Sequence, residues 1–271
     1  MDAVFISGIM GFFYMRYISK HVFYLLLCVC FASACSPKMK IEEEPNADFY
    51  FNRGLMWMEK KDYLKAIADF QTVVESYQVA SIVDNAQFKL AEAHFMSEDY
   101  ITAAYEYERV YVDYTSSRFA PEAQYKKALC YYMESPKAQL DQENTQLAID
   151  EFNRFIDNYP RQPLVEEAQK KIEELRAKLA YKEYLNAEHY KKTNIHENHL
   201  NAALISYRQV INEYPRTGWA DYSRYGIGEV YFIQKEFGKA REMFLWCINN
   251  DVDKDLKEKA SKMLAKIEQI E

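Results

Sequence analysis

Few residues in this chain stand out for their chemistry. His196 and His199 lie three apart with Glu197 between them, a spacing from which a weak metal-binding pair can be drawn. No third ligand recurs at a useful distance, and the surrounding KKTNIHENH reads more simply as an exposed linker. Cys130 and Cys247 are the only cysteines beyond residue 35. Each falls on an apolar helical position, which predicts a buried free thiol and neither a disulfide framework nor a Cys-x-x-Cys pair. His94 falls inside a helical stretch and reads as a packing or groove residue rather than a base. Acidic residues are spread over polar helix faces, where solubility is reason enough for them. There is no glycine-rich phosphate loop and no nucleophile with an orienting base. An enzyme would need a convergent pocket of perturbed titratable groups, so the expectation is a non-enzymatic protein with no cofactor. A formal charge of -7 with 28% charged residues lacks the basic face that nucleic acid requires.

Packing and adhesion remain. Tyrosine is abundant, at 23 of 271 residues. It suits both aromatic packing positions and a protein-binding groove, because it buries a large ring and keeps a hydroxyl. The organising stretch is Tyr50 to Tyr77. Gly54 and Ala66 are the small residues where two helices cross, and Tyr50, Trp57, Phe70 and Val73 fill the space beside them. The pattern then recurs. Ala66 returns as Ala103, Ala148, Ala203 and Ala240, and four residues later come Phe70, Tyr107, Phe152, Tyr207 and Phe244. Three further on sit Val73, Val110, Phe155, Val210 and Cys247. Tyr77, Tyr114, Tyr159 and Tyr214 mark the breaks, the last two followed by Pro160 and Pro215. This resembles the tetratricopeptide pattern, a helix pair of about 34 residues stacked into one continuous core. The fold class expected is all-α, a right-handed solenoid of about five helix pairs with a C-terminal capping helix.

Taken in order, residues 1–34 read as a leader. Arg16, Lys20 and His21 precede the apolar run VFYLLLCVCFASA, which is too short for a comfortable membrane span. The extra apolar patch ahead of Met15 points either to a true start at Met15 or to a longer anchor. Ala32-Ser33-Ala34-Cys35 resembles a bacterial lipobox, which implies lipidation of Cys35 and cleavage before it; the other reading is an unlipidated leader cut nearby. Two or more acyl chains would anchor the protein stably. Residues 35–46 form a polar tether. Ser36 resembles the residue that permits sorting to the outer membrane, and Lys40 with Glu42, Glu43 and Glu44 resembles either a surface-export tag or a solvated spacer.

Repeats one to three are expected within 47–160. Pro121 opens the third, where no amide is left unsatisfied. Ala128 and Ala148 lie 20 apart where Gly54 and Ala66 lie 12 apart, so an insertion falls in YMESPKAQLDQENTQ as a loop or as longer helix ends. Such insertions often carry binding surface. Residues 161–271 hold repeats four and five and the cap. Val165, Ala168, Ile172, Leu175 and Leu179 predict one helix over 164–192, about 43 Å long. It would overhang the solenoid or carry the turn between its halves. Gly228, Tyr231, Phe237, Ala240, Phe244 and Cys247 mark repeat five, and Leu256, Ala260, Met263, Leu264 and Ile267 mark the cap.

Lipobox, five repeats, the inserted third repeat and the motifs RFIDNYPRQP (154–163) and YRQVINEYPRTG (207–218) together resemble the outer-membrane protein assembly factor BamD, in a Bacteroidetes version. The resemblance implies an outer-membrane lipoprotein facing the periplasm. Its partners would be the periplasmic domains of a BamA-like barrel protein and unfolded outer-membrane proteins. It assigns the client groove to the first repeats, with Tyr77 matching a family tyrosine beside the substrate pocket. Tyr50, Arg53, Trp57 and Lys89 lie in the same region, where the positive charges of Arg53, Lys60, Lys89 and Lys126 either meet a carboxylate or acidic chain end or are simply solvated. The last two repeats would hold the barrel protein, with Arg208 and Arg216 as docking residues by region. A competing reading keeps the fold and changes the client to cell-wall, division or glycan-uptake proteins.

Overall fold

The structure, a computed structural model, describes residues 45–193 and 197–270. The leader, Cys35, the tether up to Glu44, and His196 lie outside the described residues. Eleven helices follow one another among the described residues: α1 (Ala47–Glu59), α2 (Tyr63–Ser76), α3 (Val83–Met96), α4 (Tyr100–Val112), α5 (Ala120–Glu134), α6 (Glu143–Asn158), α7 (Val165–Lys192), α8 (Glu197–Glu213), α9 (Gly218–Ile233), α10 (Phe237–Asn249) and α11 (Lys254–Glu268). Each packs on the next, and among the described residues there is no strand. This is the all-α arrangement of tetratricopeptide-like helix pairs expected above.

The turns inside the first, second and last pairs are built alike. Lys61, Glu98 and Lys235 adopt positive φ (58°, 65° and 62°), each just before the residue that opens the next helix. Asp62 and Asp99 then cap α2 and α4 by accepting the amides of Lys65 and Thr102. The turns between pairs are also alike. The carbonyls of Tyr77, Tyr114, Tyr159 and Tyr214 each accept the amide three residues on, at 2.8–3.1 Å. Gln78 and Thr115 stand where Pro160 and Pro215 stand in the later repeats, with the same turn. Among the described residues the amides of Gln78 and Thr115 make no backbone hydrogen bond, so proline loses nothing there.

The core is a row of five clusters, each joining a pair to its neighbour. The crossing of the first pair is close because Gly54 has no side chain: a Cβ there would stand 2.6 Å from the Phe70 ring. Gly228 stands in the same relation to Phe244, at 2.7 Å. Helix α7 serves two clusters. Its Ala168, Ile172 and Leu175 close the core of the third pair, whereas Tyr184 and Ala187 pack with α8 and α9. At 28 residues it spans about 42 Å. It carries the chain from the third pair into the fourth. The inserted segment is a loop, residues 135–142, between α5 and α6. Helix α11 buries Leu256, Ala260 and Ile267 against the last pair and turns its charges outward, as a cap should.

Candidate functional site

Burial deprives the two body cysteines of reactivity, pushing Cys130 up to about 12 and Cys247 up to about 11. His94 directs Nδ1 at Asp99, 3.2 Å away, next to the α4 cap. His199 donates from Nδ1 to the Thr193 carbonyl at 2.5 Å. No group of side chains among the described residues could hold a metal ion.

Four of the five residues expected in the client groove come together. On α1, Tyr50, Arg53 and Trp57 are three and four residues apart, so they share one flank, and that flank faces α2. Arg53 forms a two-pronged bond with Asp69 of α2, Nε to Oδ2 at 2.8 Å and Nη2 to Oδ1 at 2.6 Å. Its guanidinium also lies 5.0 Å from the Phe49 ring and 5.1 Å from the Tyr50 ring. Trp57 is flanked by Lys60 and Lys65, whose ammonium groups are 5.0 and 4.6 Å from its ring. Tyr50 meets the ring of Tyr77 at 6.0 Å, and the Tyr77 hydroxyl donates to the Pro45 carbonyl at 2.6 Å. A shallow recess of about 270 Å³ remains between Arg53, Trp57, Lys65, Ala68 and Asp69. Lys89 stands apart on α3, bonded to Glu92 at 2.6 Å.

The sequence reading missed Asp69, although a signal for it exists. Asp69 immediately precedes Phe70, just as Glu151 precedes Phe152. Arg53 precedes Gly54, just as Lys127 precedes Ala128. The same repeat positions pair in both places: Lys127 lies 3.3 Å from Glu151, and also 3.0 Å from Glu108.

At the other end, the two docking arginines separate. Arg208 on α8 donates to the Tyr231 hydroxyl of α9 at 2.9 Å. Arg216 lies in the α8–α9 turn and lines two recesses of about 550 and 390 Å³. Both recesses also contain Glu173 and Arg176 of α7. Asn212 and Tyr214 complete the first, and Asn153 and Ile156 of α6 border the second. Among the described residues neither guanidinium is paired with a carboxylate; in the first recess the two positive charges are matched by Glu173 and Glu213, and in the second they meet Glu173 alone.

The sequence matches the YfiO family, an outer membrane lipoprotein family, over residues 42–224. The chain belongs to that family. YfiO, also called BamD, is a non-enzymatic tetratricopeptide-like lipoprotein of outer-membrane protein assembly, so membership gives this chain its general place and role. Membership also implies association with BamA-type machinery. No curated protein sequence matches the chain significantly. Solved structures resemble the chain only distantly. MamA is 18% identical over 80% of this chain and 94% of its own, with a TM-score of 0.39. The TPR2AB domain of yeast Sti1, in complex with pHSP90, is 13% identical over 76% of this chain and 77% of its own, with a TM-score of 0.42. YrrB, a TPR protein with an unusual peptide-binding site, is 18% identical over 82% and 94%, with a TM-score of 0.33. These likenesses are too distant to bear on function.

Proposed function

We propose that this YfiO-family chain is held at the periplasmic face of the outer membrane by lipid on Cys35 and docks there on a BamA-like barrel protein. Its role is to receive unfolded outer-membrane proteins before insertion. The supporting observation is the pair of recesses around Arg176 and Arg216. There two guanidinium groups outside any ion pair face solvent, and in the second recess they outnumber the single carboxylate of Glu173, which suits an acidic side chain on a periplasmic domain. Residues 161–271 form the docking half in this account. Residues 47–160 form the client half, with Tyr50, Arg53, Trp57, Tyr77 and Lys89 as its groove residues. Because Arg53 already holds Asp69, its part there is to present the rings of Phe49 and Tyr50 rather than to seize a carboxylate. Arg208 supports the docking face through Tyr231. Such a protein acts mechanically and needs no cofactor.

Affinity purification of the tagged, lipidated protein after crosslinking in cells tests this reading. The expected co-purifying species is a barrel protein carrying repeated periplasmic domains. Recovery of cell-wall, division or glycan-uptake proteins in its place would contradict it.

A further inference from the structure

The loop 135–142 is strapped onto α7. Lys178 donates to the carbonyl and hydroxyl oxygens of Ser135, at 3.3 and 2.8 Å, and Lys182 donates to the Leu140 carbonyl at 3.0 Å. Within the strap, the Gln142 amide bonds the carbonyls of Lys137 and Leu140. Between strap, α7 and the start of α9 an open recess of about 450 Å³ remains. Its base includes Ala138 and Ala177, and one wall is Trp219 stacked on Tyr181 with ring centres 4.3 Å apart. Lys137 and Lys178 supply the positive charge. The one acidic lining residue, Glu174, accepts the Tyr132 hydroxyl.

The charge balance is unusual. Lys178 and Lys182 are bonded to neutral oxygens, and among the described residues no carboxylate pairs with either of them or with Lys137. Burial holds the Lys178 amine below its ordinary range, and no carboxylate offsets that cost. A carboxylate entering here gains charge-assisted bonds, and a neighbouring ring gains the flat Trp219–Tyr181 wall. An isolated small anion would leave that wall uncovered.

We infer that this recess binds an extended acidic peptide segment, with a carboxylate beside Lys137 and Lys178 and an adjacent apolar or aromatic side chain against Trp219. The inference rests on the reading that the protein receives unfolded chains, and it adds a contact point in the inserted third repeat.

The test is fluorescence anisotropy of a labelled peptide of alternating aspartate and phenylalanine with serine spacers, titrated with the full mature chain. The control peptide carries lysine for aspartate. The aspartate peptide should bind about tenfold or more tighter than the control, and both Lys137→Glu and Trp219→Ala should weaken it by about tenfold. Lys137 is exposed, so its substitution leaves the fold intact even if Trp219→Ala disturbs α9. Equal binding of the two peptides, or unchanged binding by Lys137→Glu, overturns the inference. An unfolded barrel protein added to the same wild-type chain separates the two levels. If it binds while the aspartate peptide does not, the recess assignment falls and the proposed function stands. If neither binds, the client-receiving reading falls with it.

Discussion

Arg53 and Asp69 join the first two helices by two parallel hydrogen bonds, and the two ends of that pair differ in exposure. The Asp69 side chain is 7% exposed and that of Arg53 40%. Losing the guanidinium therefore leaves a buried carboxylate unpaired, whereas losing both partners does not. Arg53→Ala should cost about 2 kcal/mol, between the limits for exposed and buried pairs. The double variant Arg53→Ala with Asp69→Leu should recover most of this. Urea denaturation of the four proteins in the cycle measures the coupling; additive losses would contradict the assignment.

Lys127 and Glu151 occupy the same positions in the third repeat, here with both side chains 7% exposed. Burial alone would lower the lysine's pKa, but the bond to Glu108 and the fields of Tyr111 and Glu151 outweigh it and hold Lys127 above its usual range. Lys127→Met should cost about 3 kcal/mol, more than Arg53→Ala. Replacing Glu151 with Leu in the same chain should restore much of it. A loss smaller than that of Arg53→Ala would show that burial does not rank the two pairs.

Gly54 and Gly228 are fixed by contact with rings. An added methyl would meet Phe70 or Phe244 at 2.6–2.7 Å. Helix propensity favours alanine by roughly 0.5–1 kcal/mol, but overpacking costs about 1–3 kcal/mol. Gly54→Ala and Gly228→Ala should therefore both lower the melting temperature. A rise in either would mean that the rings move aside freely.

This crossing explains what was legible in the sequence. A helix pair packed on Phe70, Tyr107, Phe152, Tyr207 or Phe244 requires a small partner at a fixed interval, so the repeat can be read from residue size alone. Helix α7 was legible for the same reason, through Ala168, Ile172 and Leu175. The direction of exposed side chains was not. Tyr50, Arg53 and Trp57 are placed on one flank by their spacing, but only the position of α2 makes that flank the inner side of a pair. The spacing of Ala128 and Ala148 reveals an insertion, while its attachment to Lys178 and Lys182 depends on contacts more than 40 residues distant in sequence.

Glu188 gives the chain an acid limit. Burial lifts its carboxyl, but bonds from Lys191 at 2.6 Å and the Tyr207 hydroxyl at 2.5 Å outweigh burial and keep it below the ordinary 4.5. Its contribution to stability is therefore complete above pH 4.5 and lost as pH falls through the depressed value. The stability gap between wild type and Glu188→Gln should be about 1–2 kcal/mol at pH 7 and should shrink below pH 4. Tyr207 acts in the opposite sense. Burial and the Glu188 bond raise its hydroxyl, so its contribution is complete below pH 10.0 and lost at higher pH. Denaturation of wild type, Glu188→Gln and Tyr207→Phe at pH 3, 7 and 11 checks the signs. A Glu188→Gln gap independent of pH would contradict the first.

Docking through Arg176 and Arg216 is the central claim, and binding of the purified mature chain to the soluble periplasmic part of the barrel protein tests it most directly. Arg216→Glu and Arg176→Glu should each weaken that complex by about tenfold or more, and added salt should weaken the wild-type complex. Lys89→Glu, at the far end of the chain, should leave it unchanged. Equal affinity for wild type and both arginine variants would contradict the account.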